Sequence, residues 1–503
     1  MTPIVALTCL VLAQAPSQGQ DASDSPALAP PPSAAAVVAS LESVMVHAIA
    51  RAEPSVVAIH RDKAPNVRET RAVRGWKPPG DDPQPARPRF RTSDPDDSDF
   101  ISFDFGSGVV IGDHGEILTA FHVVRGAIDL VVHAAGGQSF HAEIIAADPR
   151  SDLAVIVPVV ENGAESPHLR PIAIGDSARL RKGSFLIALG NPFNAARHDG
   201  STSASWGILS NVARRLESAT VISGNPRPTM LQEFPTLLQL DARLNLGMSG
   251  GAVINLKGEL VGLTTTAASP AGFDAQAGYA IPMDRTSRRA IERLKRGEEV
   301  EYGLLGIQPN DRSNRIFHVS ANSPASRGDL QVDDQIIAVN DTPVADFYSL
   351  IVAVNAHAPG EAVKVKIRRG QATLERTIVL AKFPIEEEKI ITTRPKPWRG
   401  IRVDYTSSRP ITNGILADLG MMPGVLVTEV EPGSPAEAAG IKKDMVINKV
   451  NGRPILNPRE FARAVADHDD PVDLETNFGP RTVEPKSDTP TRPPSPPRAV
   501  LDR

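Results

Sequence analysis

The chain has 503 residues, 41% of them hydrophobic, and is therefore long enough for about three folded domains. Its 54 Lys and Arg residues against 59 Asp and Glu residues give a formal charge of -5, which provides no general attraction to nucleic acid or acidic membranes. Because Cys9 is the only cysteine, no disulfide can form within the chain and no thiolate metal site is expected. We therefore expect no nucleic-acid partner and no bound metal.

The first 15 residues have the pattern of an export signal. An apolar run of about ten residues is too short to cross a bilayer and is followed by the small-residue pattern Ala13-Gln14-Ala15. No Lys or Arg precedes this run, so a disordered terminus or a misplaced start codon is the alternative interpretation. We expect export, no stable membrane span, and a flexible spacer over residues 16–36, which are rich in Ala, Pro, Ser and Gln.

The next segment predicts a helix followed by many strands. From residue 37 the pattern predicts a short amphipathic helix that ends before Pro54, and then a strand through Val56–Ile59. Residues 62–99 are polar and rich in proline, as expected of a long surface loop. From Gly106 onward, short apolar runs alternate with glycines and other turn residues, which indicates an all-β barrel or sandwich.

Three residues within these runs are candidates for nucleophilic catalysis, namely His122 in "LTAFHVV", Asp152 in "RSDLAVI" and Ser249 in "GMSGG". Each alone has an ordinary interpretation: a packed histidine, an aspartate that caps a turn, and a serine that fills one. Together they are more specific, because a serine hydroxyl needs an imidazole to take its proton and a carboxylate to orient that imidazole. The order His, Asp, Ser on an all-β chain is that of chymotrypsin-like enzymes.

The glycines around Ser249 suggest an oxyanion hole. The backbone N–H groups of Gly247 and Ser249 can converge on one oxygen, and Gly250 and Gly251 permit close approach of the backbone. The sequence therefore predicts an acyl-transfer site in this turn.

Several stretches in order resemble the HtrA/DegP family of trypsin-like serine proteases, namely "PSVVAI", "GSGVVI", "LTAFHVV", "SDLAVI", "ALGNPF", "LLQLDARLNLGMSGGAVIN" and "GYAIP". The resemblance implies a chymotrypsin-like double β-barrel over residues 37–300. It also implies an ATP-independent endopeptidase without a cofactor, often with chaperone activity, that acts on unfolded proteins in the periplasm or cell envelope as a homotrimer or larger oligomer. In this family His122 would be the general base, Asp152 its orienting carboxylate and Ser249 the nucleophile.

Three departures from the family pattern bear on activity. Met248 stands where the family usually has Asn, Phe121 replaces a small residue before the histidine, and residues 212–236 look like an insertion. None of them removes a group that transfers a proton, so an active enzyme is the favoured interpretation. The alternative is a proteolytically weak or inactive peptide-binding chaperone or scaffold.

Leu244 matches the family position in the wall of the pocket for the residue before the scissile bond. An apolar wall accepts small aliphatic side chains and disfavours Lys or Arg, whose charge would lose its hydration without gaining a partner. We therefore expect cleavage after small aliphatic residues.

An internal repeat follows the helix predicted in "MDRTSRRAIERLKRG". Residues 323–340 and 434–451 have equal length, begin with Ser-Pro-Ala and end with Val-Asn, and align Asp333 with Asp444. Their flanking glycines and candidate helices resemble the two circularly permuted α+β PDZ domains of HtrA proteins. We assign residues 301–385 and 397–478 to these modules, residues 386–396 to a linker, and residues 479–503 to a disordered Pro-rich tail.

The resemblance to PDZ domains implies capture of hydrophobic C-terminal peptides by strand addition. The residues expected to bind the peptide are Leu304, Leu305, Gly306 and Ile307 in the first copy, and Gly400 and Ile401 in the second. A pair of packing modules without ligand is the alternative, in which Arg399 and Arg402 are solvated charges rather than carboxylate partners. The second copy lacks an obvious final strand, since the chain becomes Pro-rich after "VDLETNF".

Overall fold

The computed structural model of the chain describes residues 33–63, 105–160, 165–197, 200–214, 236–268, 277–309, 313–385, 389–408, 422–466 and 468–485. The predicted export signal, most of the long loop over residues 62–99, most of the 212–236 insertion and the tail beyond residue 485 lie outside these ranges.

The first described element is helix α1 (Ala34–Ala52), which continues into a 3-10 turn at Glu53–Ser55. The prediction of a helix that ends before Pro54 is confirmed, because proline at this point cannot donate a helical hydrogen bond. By length and composition alone, the stretch Ala34–Ser55 is apolar enough to cross a membrane, a property shared with signal sequences and with core helices. The absence of a stable membrane span therefore stays a prediction.

The first barrel forms from strands that pair antiparallel in the order β5-β4-β1-β2-β3-β6 and close through the pairing of β5 with β6. The strands are β1 (Val56–Lys63), β2 (Phe105–Val110), β3 (Ile117–Ala120), β4 (Ala127–Ala134), β5 (Gln138–Asp148) and β6 (Leu153–Pro158). Helix α2 (Phe121–Val124) directly follows β3. Large aliphatic side chains such as Ile59, Ile117 and Ile156 are fully buried in the interior of this barrel.

The second barrel closes in the order β10-β11-β12-β9-β8-β7. Its strands are β7 (Phe185–Gly190), β8 (Ser203–Arg214), β9 (Leu237–Leu240), β10 (Ala252–Ile254), β11 (Leu260–Ala268) and β12 (Ala277–Pro282). Helix α3 (Arg285–Lys295) leaves this barrel and begins where the Asp284 carboxylate accepts the Ser287 N–H at 2.9 Å. The predicted double β-barrel is confirmed.

Two α+β modules follow, as the repeat predicts. The first contains β13 (Gly303–Leu304), β14 (Ile307–Pro309), β15 (Ile316–Val319), α4 (Pro324–Arg327), β16 (Gln335–Val339), β17 (Thr342–Pro343), α5 (Phe347–Asn355), β18 (Ala362–Arg369), β19 (Ala372–Val379) and β20 (Ala381–Lys382). After β21 (Ile390–Ile391), the second contains β22 (Ile401–Tyr405), β23 (Val425–Val430), α6 (Pro435–Ala438), β24 (Val446–Val450), β25 (Arg453–Pro454), α7 (Pro458–Val465), β26 (Val472–Thr476) and β27 (Gly479–Val483).

The repeat signature has a backbone explanation. Asp333 and Asp444 adopt nearly the same left-handed conformation, with φ of 73° and 75°, and the final asparagines Asn340 and Asn451 both have φ of 48°. Asp and Asn tolerate this region better than most residues that carry a Cβ. The shared Ser-Pro-Ala start supplies the serine that caps the short helix of each module.

Two segments differ from the sequence-based assignment. Within the predicted linker, β21 pairs with Ala146 and Ala147 of β5, so this part of the linker extends the sheet of the first barrel. At the other end, the expectation that the second module lacks a final strand is wrong, because β27 pairs with β26 along its whole length. Residues 479–483 therefore belong to the module and not to the tail.

A buried lysine joins the segment after α3 to both modules. The ammonium of Lys382, whose side chain is 3% exposed, lies 2.7 Å from Asp404, 2.9 Å from Glu299 and 3.3 Å from Glu301. Burial alone would lower the pKa of Lys382, but the carboxylates of Asp404, Glu299 and Glu301 outweigh it and hold that pKa above its ordinary value. The lysine is therefore charged and binds three carboxylates, two from the segment after α3 and one from the second module.

We expect Lys382→Met to destabilise the protein by about 3 to 5 kcal/mol, because it removes the buried cation that lies between Asp404, Glu299 and Glu301. Glu299 and Glu301 keep their ion pairs with Lys389 and Arg293, so the loss falls chiefly on Asp404. Urea unfolding of the full chain measures this loss. The matched control is Lys364→Met, since Lys364 pairs with Glu375 at the surface and such a pair contributes only about 1 kcal/mol or less. Equal stability of the two variants would show that the Lys382 cluster does not hold the modules.

Candidate active site

The structure places the three candidate residues together at the junction of the two barrels. His122 lies on α2, Asp152 lies on the turn between β5 and β6, and Ser249 lies on the turn before β10. All three are buried, with 6%, 2% and 9% of their surface exposed. Two elements of the first barrel and one of the second therefore contribute to one site.

The imidazole of His122 is held by the carboxylate of Asp152. His122 Nδ1 lies 2.9 Å from both carboxylate oxygens, and the His122 backbone N–H donates to Oδ1 at 3.1 Å. Because a carboxylate only accepts hydrogen bonds, Nδ1 carries the proton and Nε2 is left as the basic nitrogen. Thr265 Oγ1 donates to Asp152 Oδ2 at 2.7 Å and fixes the carboxylate from the second barrel.

Ser249 has its hydroxyl directed away from the imidazole. Its Oγ donates to the Thr265 carbonyl at 2.5 Å, while the buried Nε2 of His122 has no hydrogen-bond partner among the described residues. Catalytic hydrogen bonds often tighten only when substrate is bound. A rotation of the Ser249 side chain toward His122 is therefore the step that would join nucleophile and base. In the described ranges, no group of three or more His, Cys, Asp or Glu side chains is placed to hold a metal ion.

The turn around Ser249 presents two backbone N–H groups. Those of Gly247 and Ser249 donate to no other group among the described residues. Gly247 has φ of 94°, and a Cβ there would lie 2.4 Å from the Asn191 carbonyl oxygen, so only glycine fits. The arrangement can stabilise an oxyanion.

Hydrogen bonds from Ser107 and Thr264 to the backbone of this turn hold it from both sides. Ser107 donates its Oγ to the Gly247 carbonyl at 2.8 Å and its N–H to the Ser249 carbonyl at 2.8 Å. On the other side Thr264 Oγ1 donates to the Met248 carbonyl and accepts the Gly251 N–H at 2.8 Å. The order of the turn thus depends on residues outside it.

The two unusual side chains are accommodated away from the reacting groups. Met248 is 2% exposed and packs against Ala188 and Leu244, and its sulfur accepts the Asn245 N–H at 3.4 Å. Phe121 is 3% exposed and belongs to the core of the first barrel. The bulky ring is therefore accommodated by the apolar packing of this barrel.

Leu244, the residue predicted to line the substrate pocket, is buried beside the backbone of Gly278. It is 3% exposed, and a Cβ placed on Gly278 would be 2.9 Å from its Cγ and Cδ1. The side chain of Leu244 thus fills the space in front of the Gly278 backbone.

The predicted peptide-binding loop of the first module precedes β14. Leu304 is in β13, Leu305 is buried in the module core, and Ile307 begins β14. Gly306 has φ of 78°, and a Cβ there would collide with Ser323 at 2.4 Å. The N–H groups of Leu305 and Gly306 donate to no other group among the described residues, so they are available to an acceptor from outside.

The second module repeats this loop, with Gly400 in the place of Gly306 and Ile401 in the place of Ile307. Gly400 has φ of 89° and faces Ser434 in the same way, but the Ile401 N–H donates to the Trp398 carbonyl at 2.8 Å. Arg399 donates to the carbonyls of Val483, His468 and Asp470, and Arg402 forms an ion pair with Glu429 at 3.3 Å. Both arginines therefore already have partners within the module.

Sequence reasoning missed three supporting residues, namely Ser107, Thr264 and Thr265. The only signal for them was the position of polar side chains within otherwise apolar strands, in "GSGVVI" and "LVGLTTT". Buried hydroxyls need partners, but the partners here come from the opposite barrel and are not near in sequence.

Comparison with known families supports the three-part organisation. Residues 106–263 match the family described as a trypsin-like peptidase domain, and residues 303–380 and 426–477 match two families described as PDZ domains.

Individual relatives are similar over most of the chain. The periplasmic pH-dependent serine endoprotease DegQ of Escherichia coli is 31% identical over 72% of this chain and 75% of its own. The probable periplasmic serine endoprotease DegP-like of Chlamydia trachomatis is 30% identical over 71% of this chain and 68% of its own. Among solved structures, the HtrA-type protease AlgW with tripeptide aligns with a TM-score of 0.49 and 23% identity over 68% of this chain and 98% of its own.

We expect Thr264→Val to slow the reaction of Ser249 with a fluorophosphonate reagent about 10- to 100-fold, because the turn loses a clamp on each side of its nucleophile. The rate of labelling of the full chain measures the effect. Thr428→Val is the matched control, since Thr428 donates its hydroxyl to the Arg402 carbonyl in the second module. Equal labelling rates in wild type and Thr264→Val would mean that the clamp does not order the turn.

Proposed function

Because the chain belongs to the HtrA/DegP family of trypsin-like serine endoproteases, we propose that it cleaves unfolded polypeptides with Ser249 as nucleophile. The observation that carries the proposal is the buried His122–Asp152 hydrogen bond beside a turn whose Gly247 and Ser249 N–H groups lack an acceptor among the described residues. Such a combination of base, orienting carboxylate and paired donors serves acyl transfer.

The proposed reaction begins with rotation of Ser249 Oγ toward His122. Nε2 takes the hydroxyl proton as Oγ bonds to the peptide carbonyl carbon, and the Gly247 and Ser249 N–H groups stabilise the oxyanion. The imidazolium, stabilised by Asp152, then gives its proton to the leaving amine as the C–N bond breaks. Water hydrolyses the acyl-enzyme by the same route. His122 accepts and donates the proton in every step, so no step requires ATP or a cofactor.

The proposed specificity follows from Leu244. Since its side chain already fills the space before Gly278, we propose that the pocket for the residue before the scissile bond is shallow and apolar. We expect small aliphatic residues before the scissile bond and exclusion of Lys and Arg.

Location, assembly and domain limits complete the proposal. Relatives named as periplasmic proteases support export to the periplasm or cell envelope, and the family favours a homotrimer or larger oligomer. We propose a protease domain over residues 37–300 and PDZ domains over residues 301–385 and 397–485. The second domain is thus extended to include β27.

We expect wild type to fragment an unfolded model protein without ATP, while Ser249→Ala produces no fragments, because the acyl-enzyme cannot form. Mass spectrometry of the fragments identifies the residues before each cut. Fragments in both samples would exclude Ser249 as nucleophile, and cuts mainly after Lys or Arg would contradict the assigned pocket. If neither protein cleaves and both suppress aggregation of the same substrate, the holdase alternative replaces the protease.

The first PDZ domain is proposed to bind hydrophobic C-terminal peptides. The Leu305 and Gly306 N–H groups are unpaired within the described residues and lie in a loop next to β14, where an extended peptide can add a strand. The second domain is a weaker candidate, because the N–H of Ile401, directly after the matching glycine Gly400, already donates to the Trp398 carbonyl. Peptide binding at the first domain can regulate cleavage only if it shifts an equilibrium at the active site.

We expect full-length Ser249→Ala to bind a peptide with a hydrophobic C-terminus, and to bind the same peptide with an amidated C-terminus about 10-fold or more weakly. The difference arises because a carboxylate accepts stronger hydrogen bonds from backbone N–H groups than a neutral amide does. Fluorescence anisotropy measures both affinities. Equal affinity of the two peptides would exclude carboxylate recognition by this loop.

A further inference from the structure

The backbone of Asp152 requires support. It adopts φ of 54°, in the left-handed region that few residues with a Cβ enter without surrounding constraints. Its own carbonyl accepts the Phe121 N–H at 2.9 Å, which links the turn to α2. The opposite side of the turn, at Asp148 and Ser151, must also be fixed for the carboxylate to stay aligned with His122.

Asp148 closes this turn with a second, buried carboxylate. Its Oδ2 accepts the Ser151 N–H at 3.1 Å and the Ser151 hydroxyl at 2.5 Å, directly before Asp152. Oδ2 also accepts the hydroxyl of Tyr302 at 2.6 Å. Burial raises the pKa of Asp148 above its ordinary value, although the hydrogen bonds from Ser151 and Tyr302 oppose this effect. The three hydrogen bonds therefore offset part of the free-energy cost of burying the Asp148 carboxyl group.

Tyr302 does not belong to either barrel. It lies between α3 and β13, on the segment that enters the first PDZ domain, and its carbonyl accepts the Phe383 N–H at 2.8 Å. It is 2% exposed, so the hydrogen bond from its hydroxyl to Asp148 is shielded from bulk water.

The first PDZ domain also contacts the same turn through Arg150. The Arg150 guanidinium lies 3.5 Å from the centre of the Phe383 ring and 5.0 Å from that of Tyr302, and Nη2 is 3.4 Å from Asn355 Oδ1. Arg289, at 5.8 Å from the Tyr302 ring, is the other cation that faces this tyrosine. The turn that carries Asp152 is thus packed against residues of the PDZ domain and its entry segment.

We infer that Asp148 and Tyr302 are positioning residues for catalysis, which hold the Asp152 carboxylate on His122 and make its alignment depend on the docking of the first PDZ domain. The inference rests on the proposed function, since it assigns Asp152 as the partner of the catalytic base. It adds a connection from the domain entry segment to the triad, which runs from the Tyr302 hydroxyl through Asp148 Oδ2 to Ser151, the residue before Asp152.

The test is Tyr302→Phe in the full chain, which removes one hydroxyl and leaves the ring that packs on Arg150. We expect kcat to fall about 10-fold at nearly unchanged KM, because misalignment affects the reacting groups rather than the substrate contacts. The acid limb of the pH–rate profile should move to lower pH, since a poorly placed carboxylate stabilises the imidazolium less. Rates are expressed per active site by titration with a fluorophosphonate, so partial unfolding does not imitate the effect.

Two further variants serve as controls, one for the loss of a buried tyrosine hydroxyl and one for the path through Asp148. Tyr405→Phe, at a buried tyrosine of β22, should leave kcat and the profile unchanged. In the double variant with Asp148→Ala, which removes the acceptor of the Tyr302 hydroxyl, the added Tyr302→Phe should have no further effect if the tyrosine acts through that carboxylate. Arg61, which donates to the His122 carbonyl at 3.4 Å, is untouched in every variant.

A readout independent of turnover separates this inference from the proposed function. The low-field proton resonance of His122 Nδ1, identified by its loss in His122→Ala, reports the hydrogen bond to Asp152 and should weaken or shift in Tyr302→Phe. A shift in a protein that cleaves nothing would support the positioning role and overturn the protease. An unchanged resonance and unchanged kcat in an active protein would overturn the positioning role and leave the protease standing.

Discussion

The carboxylate of Asp152 is the constraint on which the proposed site depends. It accepts hydrogen bonds from the backbone and ring of His122 and from Thr265 Oγ1. His122 belongs to the first barrel and Thr265 to β11 of the second, so the carboxylate is fully satisfied only when both barrels are closed and docked. Because a buried charge without its partners is costly, the same contacts that orient the imidazole also stabilise the junction of the barrels.

The turn around Ser249 is likewise held by both barrels, but through its backbone groups. Ser107 and Thr264 approach it from different barrels and engage the carbonyls of Gly247, Met248 and Ser249. Because these three carbonyls bind Ser107 and Thr264, they do not accept hydrogen bonds from the Gly247 and Ser249 N–H groups. Since the clamps act on the main chain, the identity of the side chain at position 248 matters mainly for packing, and a buried methionine is compatible with an ordered turn.

The pattern of apolar runs and glycines predicted an all-β barrel or sandwich, and the family resemblance predicted the double barrel. The internal repeat predicted both modules, and the order of His122, Asp152 and Ser249 identified the candidate catalytic residues. The sequence did not predict the roles of Thr264 and Thr265. In the fold, Thr264 contacts the turn around Ser249, and Thr265 contacts Asp152 of the other barrel. Strand β21 was missed because two residues acquire strand geometry only by pairing with β5. Strand β27 was missed because its proline suggested a tail, although Pro480 is compatible with an edge strand.

Both ends of the first PDZ domain return to the segment that precedes Asp152. The entry segment contacts Asp148 through Tyr302, and the exit segment pairs through β21 with Ala146 and Ala147, one and two residues before Asp148. Displacement of the domain would have to break the hydroxyl contact, the strand pairing or both. Since the turn at Asp152 has a left-handed backbone that its surroundings must maintain, it is the part of the barrel most sensitive to such a loss. Coupling between domain and site therefore needs no mobile lid, because the connecting chain itself supports the carboxylate.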